Sequence, residues 1–150
     1  MSVTVNHTGI TVKDLDRAEA MFRDLFGFET FSRAPRDPAI ISAVIGVPGV
    51  TVEIAYMRNG ATNIELLCYS VPDGNNDYRP RPCDFGSLHM AMNVTDMDGM
   101  LEKARAWPLD QVGDLIVIDQ GPNTGSRIVY MRTPEEGLII ELIEKKIKGI

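Results

Sequence analysis

The chain has 150 residues, 15 Lys+Arg against 21 Asp+Glu, a formal charge of −6 and 44% hydrophobic residues. That length and composition fit one folded domain (residues 1–150) and exclude a collagen-like, coiled-coil or disordered chain. The acidic balance argues against a nucleic-acid partner, no apolar stretch approaches the ~20 residues of a membrane span, and the N-terminus MSVTVNHT lacks a signal-peptide apolar core.

A cytoplasmic protein without membrane or nucleic-acid partners is therefore expected. Cys68 and Cys83 read as reduced thiols of that compartment rather than a disulfide. The one basic run, Lys145-Lys146-Ile147-Lys148, reads as a solvated end.

In chain order, Val5 to Val12 is rich in β-branched residues and predicts a strand that contains His7. Asp14 or Asp16 can N-cap the next segment. Ala18, Met21, Phe22 and Leu25 then fall at i, i+3, i+4 and i+7, one face of an amphipathic helix that Gly27 is placed to end. Phe28–Arg33, Val50–Arg58 and Thr62–Tyr69 predict strands. Between the first two of these, Ile41–Gly49 contains Val-Pro-Gly and predicts a turn-containing flap. Val71–Phe85 is a Pro-, Gly-, Asn- and Asp-rich linker.

The second half repeats the order. Leu88–Val94 predicts a strand and Met97–Trp107 a helix stopped by Pro108, with Asp96 or Asp98 at its cap. Strands near Gly113–Asp119, Arg127–Arg132 and Leu138–Glu144 come next, with Gly121–Gly125 as a tight turn or substrate-facing loop. The eight methionines suit core-filling positions.

The two halves are copies of one unit. His-Thr-Gly-Ile-Thr-Val-Lys-Asp-Leu-Asp from His7 aligns with His-Met-Ala-Met-Asn-Val-Thr-Asp-Met-Asp from His89, 82 positions on. Tyr56-Met57-Arg58 aligns with Tyr130-Met131-Arg132, and Ile64-Glu65-Leu66-Leu67 with Ile140-Glu141-Leu142-Ile143, at shifts of 74 and 76. The expected fold is α+β: two tandem βαβββ units, about 4–70 and 87–145, joined by linker 71–86.

Both histidines of the chain and two glutamates set in apolar runs thus occupy repeat-equivalent places. A carboxylate among such neighbours is costly to bury unless it is paired or metal-bound. Packed by pseudo-twofold symmetry, His7, Glu65, His89 and Glu141 converge. Two imidazoles and two carboxylates suit one divalent ion (Zn, Ni, Co, Fe or Mn), which would reduce the charge of −6 to about −4. No glycine elbow surrounds any serine, so serine nucleophile chemistry is not expected.

A duplicated βαβββ unit with His, Glu, His and Glu in this order resembles the vicinal oxygen chelate superfamily, which includes glyoxalase I, methylmalonyl-CoA epimerase, extradiol dioxygenases and bleomycin- and fosfomycin-resistance proteins. The resemblance spans His7-Thr8-Gly9-Ile10 to Ile140-Glu141-Leu142-Ile143-Glu144. It implies a curved mixed sheet around a metal held by His7, Glu65, His89 and Glu141, and a homodimer. It also implies a small-molecule substrate with two adjacent oxygens, one carboxylate serving as base: Glu141 first, Glu65 second.

The resemblance is closest to glyoxalase I and the epimerases. Ile-Glu-Leu-Leu and Gly-Ser-Leu-His are epimerase-like, but the second catalytic glutamate of epimerases falls near Pro48 here. The nearest carboxylate is Glu53, five residues on, which speaks against two-base epimerisation of a CoA ester. Extradiol dioxygenases use two histidines and one glutamate, so a fourth ligand points away from dioxygen chemistry. Bleomycin-binding members usually lack the metal set. A metal-dependent isomerase or lyase is therefore the first expectation, a drug- or metabolite-binding protein or a ring-cleaving dioxygenase the alternatives. Arg58, Arg127 and Arg132 are candidates to meet an anionic substrate, against exposed salt bridging as the plainer role. Loops 71–87 and 120–126 and the flap are expected to line the pocket.

Overall fold

A computed structural model of the protein describes residues 2–70 and 77–146. The linker residues 71–76 and the Ile147-Lys148 end of the basic run lie outside the described residues. The chain divides into two compact units at residue 76.

Unit 1 runs β1 (Thr8–Thr11), α1 (Leu15–Phe26), β2 (Glu29–Pro35), α2 (Pro38–Ile45), β3 (Thr51–Asn59) and β4 (Thr62–Ser70). Its sheet has the order β1-β4-β3-β2, with β1 parallel to β4 and the other pairs antiparallel. Unit 2 runs β5 (His89–Val94), α3 (Met97–Arg105), β6 (Asp110–Gln111), β7 (Ile116–Val117), β8 (Arg127–Arg132) and β9 (Ile139–Glu144). Its order is β5-β9-β8-β6, β7 also pairing with β8, and β5 is parallel to β9. The two sheets thus share one topology, as the internal repeat requires.

Local chemistry explains the elements. Asp14 caps α1 by accepting from the Arg17 backbone N–H at 2.9 Å, and Gly27 ends the helix at φ 69°, a left-handed conformation that costs glycine nothing. Asp16 is free of capping and meets Arg33 instead, in a cluster where Arg33 also binds Glu19 and Glu53. The α1 stripe buries Leu15, Ala18, Met21, Phe22, Leu25 and Phe26. It packs on the face of β3 and β4 that carries Ala55, Met57, Ile64 and Leu66, all fully buried. Met21, Met57, Met97 and Met131 are core residues. Phe22 sits between Phe26 and Phe28, ring centroids 5.8 and 5.5 Å away. Phe22→Ala is expected to cost about 3–5 kcal/mol of stability in denaturant unfolding, because the site cannot collapse around so large a void. A loss under about 1 kcal/mol would contradict this packing.

Several expectations need correction. The Ile41–Gly49 flap is mostly helix: α2 is capped by Asp37, which accepts from Ala39 and Ile40 N–H, begins at Pro38 and ends at left-handed Gly46. Of the strand expected at Gly113–Asp119 only β7 forms; β6 precedes that span, both pair with β8, and the Gln111 amide turns back onto the Gly113 carbonyl between them. The first strand is shorter than Val5–Val12, since pairing with β4 begins at Thr8; His7 precedes it. The second helix also stops at Arg105, with Ala106 and Trp107 bonded back in a turn before Pro108. Gly121–Gly125 is a tight turn, closed by Thr124 N–H to the Gly121 carbonyl.

Candidate metal centre

The strand registers decide where the four predicted residues point. In β4, alternation puts Glu65 on the face away from α1, because Ile64 and Leu66 line the helix-facing core. Glu65 lies opposite Gly9 in β1 and opposite Tyr56 in β3. In unit 2, Glu141 lies opposite Ala91 in β5 and opposite Tyr130 in β8. Each histidine is two residues before the small residue, so it shares that face. Glycine or alanine between them leaves the histidine open to the carboxylate.

The structure brings the four residues together as two pairs, one in each unit. His7 Nε2 is 3.1 Å from Glu65 Oε2, and His89 Nε2 is 3.3 Å from Glu141 Oε2. Among the described residues of either unit, no further His, Cys, Asp or Glu joins the pair to make a group of three. Glu65 is buried and Glu141 half-buried.

The donor chemistry fits a divalent ion. His7 Nδ1 lies 2.7 Å from Asn6 Oδ1, an oxygen that can only accept, so this contact favours a proton on Nδ1 and leaves Nε2 as the ligand atom of a neutral ring. In that neutral form the Nε2 lone pair and a carboxylate oxygen face each other, and a divalent ion between them would satisfy both donors. Two ligands about 2.1 Å from one ion at a right angle lie about 3.0 Å apart, close to both observed spacings.

Two tyrosines belong to these pairs. Tyr56 meets His7 edge-to-face with centroids 5.6 Å apart, and Tyr130 meets His89 at 5.2 Å in a tilted contact. Hydrogen bonding toward Glu65, with desolvation second, raises the Tyr56 phenol above its ordinary range, while Arg36 pulls it the other way. Desolvation, then the charge of Glu141, raises Tyr130. The Tyr-Met-Arg repeat was the available sign of both, since it recurs in the same order between the repeated histidine and the repeated glutamate.

Other candidates separate cleanly. Glu53 pairs with Cys68 across β3 and β4, on the face opposite Glu65, and its carboxylate binds Arg33 Nε at 2.8 Å. It is a structural ion pair, not a second base. Arg127 is bound by Asp98 at 2.6 Å and by Glu144, while Asp96 caps α3 through Gly99 N–H. Arg132 donates to the Pro80 carbonyl at 2.8 Å, and Arg58 lies over the Phe31 ring at 5.3 Å. Among the described residues, salt bridging therefore describes Arg127 alone of the three. Cys68 and Cys83 are both free thiols.

Residues 6–130 match the family model of the glyoxalase/bleomycin resistance protein/dioxygenase superfamily. The chain belongs to that superfamily. It is 38% identical over 147 residues to a 2-epi-5-epi-valiolone epimerase from an Actinomyces species, a match covering 95% of this chain and 79% of that protein. A glyoxalase family protein from Bacillus cereus has the same fold, with a TM-score of 0.82 and 28% identity over 97% of this chain and 95% of that one. The fosfomycin resistance protein FosX from Listeria monocytogenes, solved with Mn(II) and sulfate, shares the fold at a TM-score of 0.63 and 15% identity, over 99% of this chain and 97% of that one. Two mixed sheets of one topology are what this superfamily's fold requires of the duplicated unit. No helix among the described residues is long and apolar enough to cross a membrane.

Proposed function

We propose that this superfamily member is a divalent-metal-dependent epimerase of a small α-oxygenated carbonyl compound. It is an isomerase-type enzyme, and His7, Glu65, His89 and Glu141 hold its metal. The observation that carries the reading is the facing imidazole–carboxylate pair found once in each unit, in a chain 38% identical to an epimerase. When bound, the ion supplies Lewis-acid polarisation of the substrate carbonyl and offsets the negative charge that grows on its oxygen.

The chain's own residues do the rest. Glu141 removes the proton α to the carbonyl, Glu65 being the alternative choice of base that the Glu141→Gln comparison decides. A solvent-derived proton delivered to the opposite face of the same carbon inverts the stereocentre, and Glu141 gives the abstracted proton up to solvent. His7 and His89 are ligands and carry no proton of the reaction. The Tyr56 and Tyr130 rings shield the two pairs on one side. The same reading makes the protein a cytoplasmic homodimer with a small molecule as its partner.

The test is deuterium wash-in. Metal-loaded protein in heavy water, offered α-hydroxy ketones with 2-epi-5-epi-valiolone first, is expected to place deuterium at the α carbon and to form the epimer. Tight ligand binding with no exchange would favour a drug- or metabolite-binding role. Oxygen uptake with catechol-like compounds would favour a ring-cleaving dioxygenase. Either result would overturn the epimerase reading.

A further inference from the structure

The two pairs are repeat-equivalent in position but not in support. His7 Nδ1 lies 2.7 Å from Asn6 Oδ1, a contact that is a hydrogen bond when Nδ1 carries the proton. Asn6 is exposed, so water competes for that bond, yet the Asn6 backbone carbonyl is itself held by Asn63 Nδ2 at 3.3 Å. Asn63 stands in β4, two residues before Glu65 and therefore on the same face. The Asn6 side chain thus meets the imidazole, and the Asn63 side chain ties the Asn6 backbone to the strand that carries the partner carboxylate.

Unit 2 lacks both parts. The residue before His89 is Leu88, 64% exposed and without an acceptor in its side chain. The residue two before Glu141 is the buried Ile139, which has no side-chain donor. The looser setting shows in exposure: the His89 side chain is 46% accessible against 31% for His7, and that of Glu141 16% against 11% for Glu65.

We propose that Asn6, braced by Asn63, is a positioning residue that locks His7 in the Nδ1–H tautomer, so that the unit 1 pair is the fixed half of the site and the unit 2 pair the mobile half. This rests on the reading of the four residues as metal ligands, and it explains why one of two equivalent glutamates serves as base. A carboxylate that must leave the ion to take a proton belongs to the pair that nothing clamps. Glu65, facing the braced imidazole at 3.1 Å, stays a ligand.

The tautomers are directly readable by imidazole nitrogen NMR of the chain after removal of metal by a chelator, at a pH well above the ordinary histidine range. His7 is expected to show one tautomer, with a pyridine-type Nε2, and His89 a mixture. Asn6→Leu, which copies unit 2, is expected to turn His7 into a mixture and to weaken Zn²⁺ binding by about 10- to 100-fold, the usual effect of losing such a support. Asn6→Asp keeps an acceptor oxygen and is expected to preserve the single tautomer. The position is exposed and outside the sheet, so the fold is retained in both variants.

An unchanged His7 tautomer in Asn6→Leu, or a single tautomer at both histidines of the wild type, would overturn the clamp. The two ideas fail separately. If the protein binds no Zn²⁺, the metal reading falls while the tautomers still decide the clamp. If Asn6→Leu binds Zn²⁺ as tightly as wild type with His7 unchanged, the clamp falls and the metal reading stands.

Discussion

Glu141→Gln is expected to slow exchange of the substrate α proton by about 10²–10⁴-fold, the range that a positioned general base contributes. The carboxamide has the size and shape of the carboxylate and keeps an oxygen that can face His89 Nε2, but it cannot accept the proton. Glu141 is half-buried in β9, in register with Tyr130 and Ala91, and none of those contacts requires a charge. Circular dichroism and thermal unfolding should therefore match wild type. Glu65→Gln makes the useful contrast. With Glu65 held by its neighbours as a ligand, its loss should reduce metal retention more than the exchange rate measured at saturating metal. Equal exchange in wild type and Glu141→Gln would remove Glu141 as the base.

His89→Ala is expected to lose stoichiometric metal on purification, and exchange activity with it. A His/Glu set of four keeps its affinity by holding all donors in place, and removing one imidazole deletes a ligand. The side chain is 46% accessible and contributes little to the core, so the variant should fold as wild type does. Elemental analysis beside an unfolding curve checks both halves of the expectation. Full metal content in His89→Ala would exclude His89 from the ligand set.

Much of this was legible because the chain is duplicated. One histidine in an apolar strand says little, but two at the same offset of a repeat, each answered by a glutamate at a second shared offset, identify a site before any coordinates. The strands and α1 were equally readable, since Ala18, Met21, Phe22 and Leu25 follow the helical period and Asp14 and Gly27 mark the ends. α2 was not. Its run from Ala39 to Val47 is apolar on every side, as in Ile40, Val44 and Ile45, which are all exposed, so no period distinguishes helix from turn. The decisive signs there were the caps, Asp37-Pro38 and Gly46. Asn6 was invisible for another reason: a polar residue before a strand matches any loop, and its role appears only once Asn63 is seen beside it across the sheet. The tyrosines lay between these cases, repeated in sequence but indistinguishable from core aromatics until the registers placed them opposite the glutamates.

The central claim is that a divalent ion held by His7, Glu65, His89 and Glu141 supports proton abstraction by the chain's own carboxylate. The most direct measurement is α-proton exchange by one preparation in three states: as purified, after removal of metal by a chelator, and after return of Mn²⁺, Zn²⁺, Ni²⁺, Co²⁺ or Fe²⁺, with metal content determined in each. The account predicts about one ion per chain at full activity, loss of exchange with the metal, and recovery on its return. Exchange that persists undiminished in metal-free protein would contradict it.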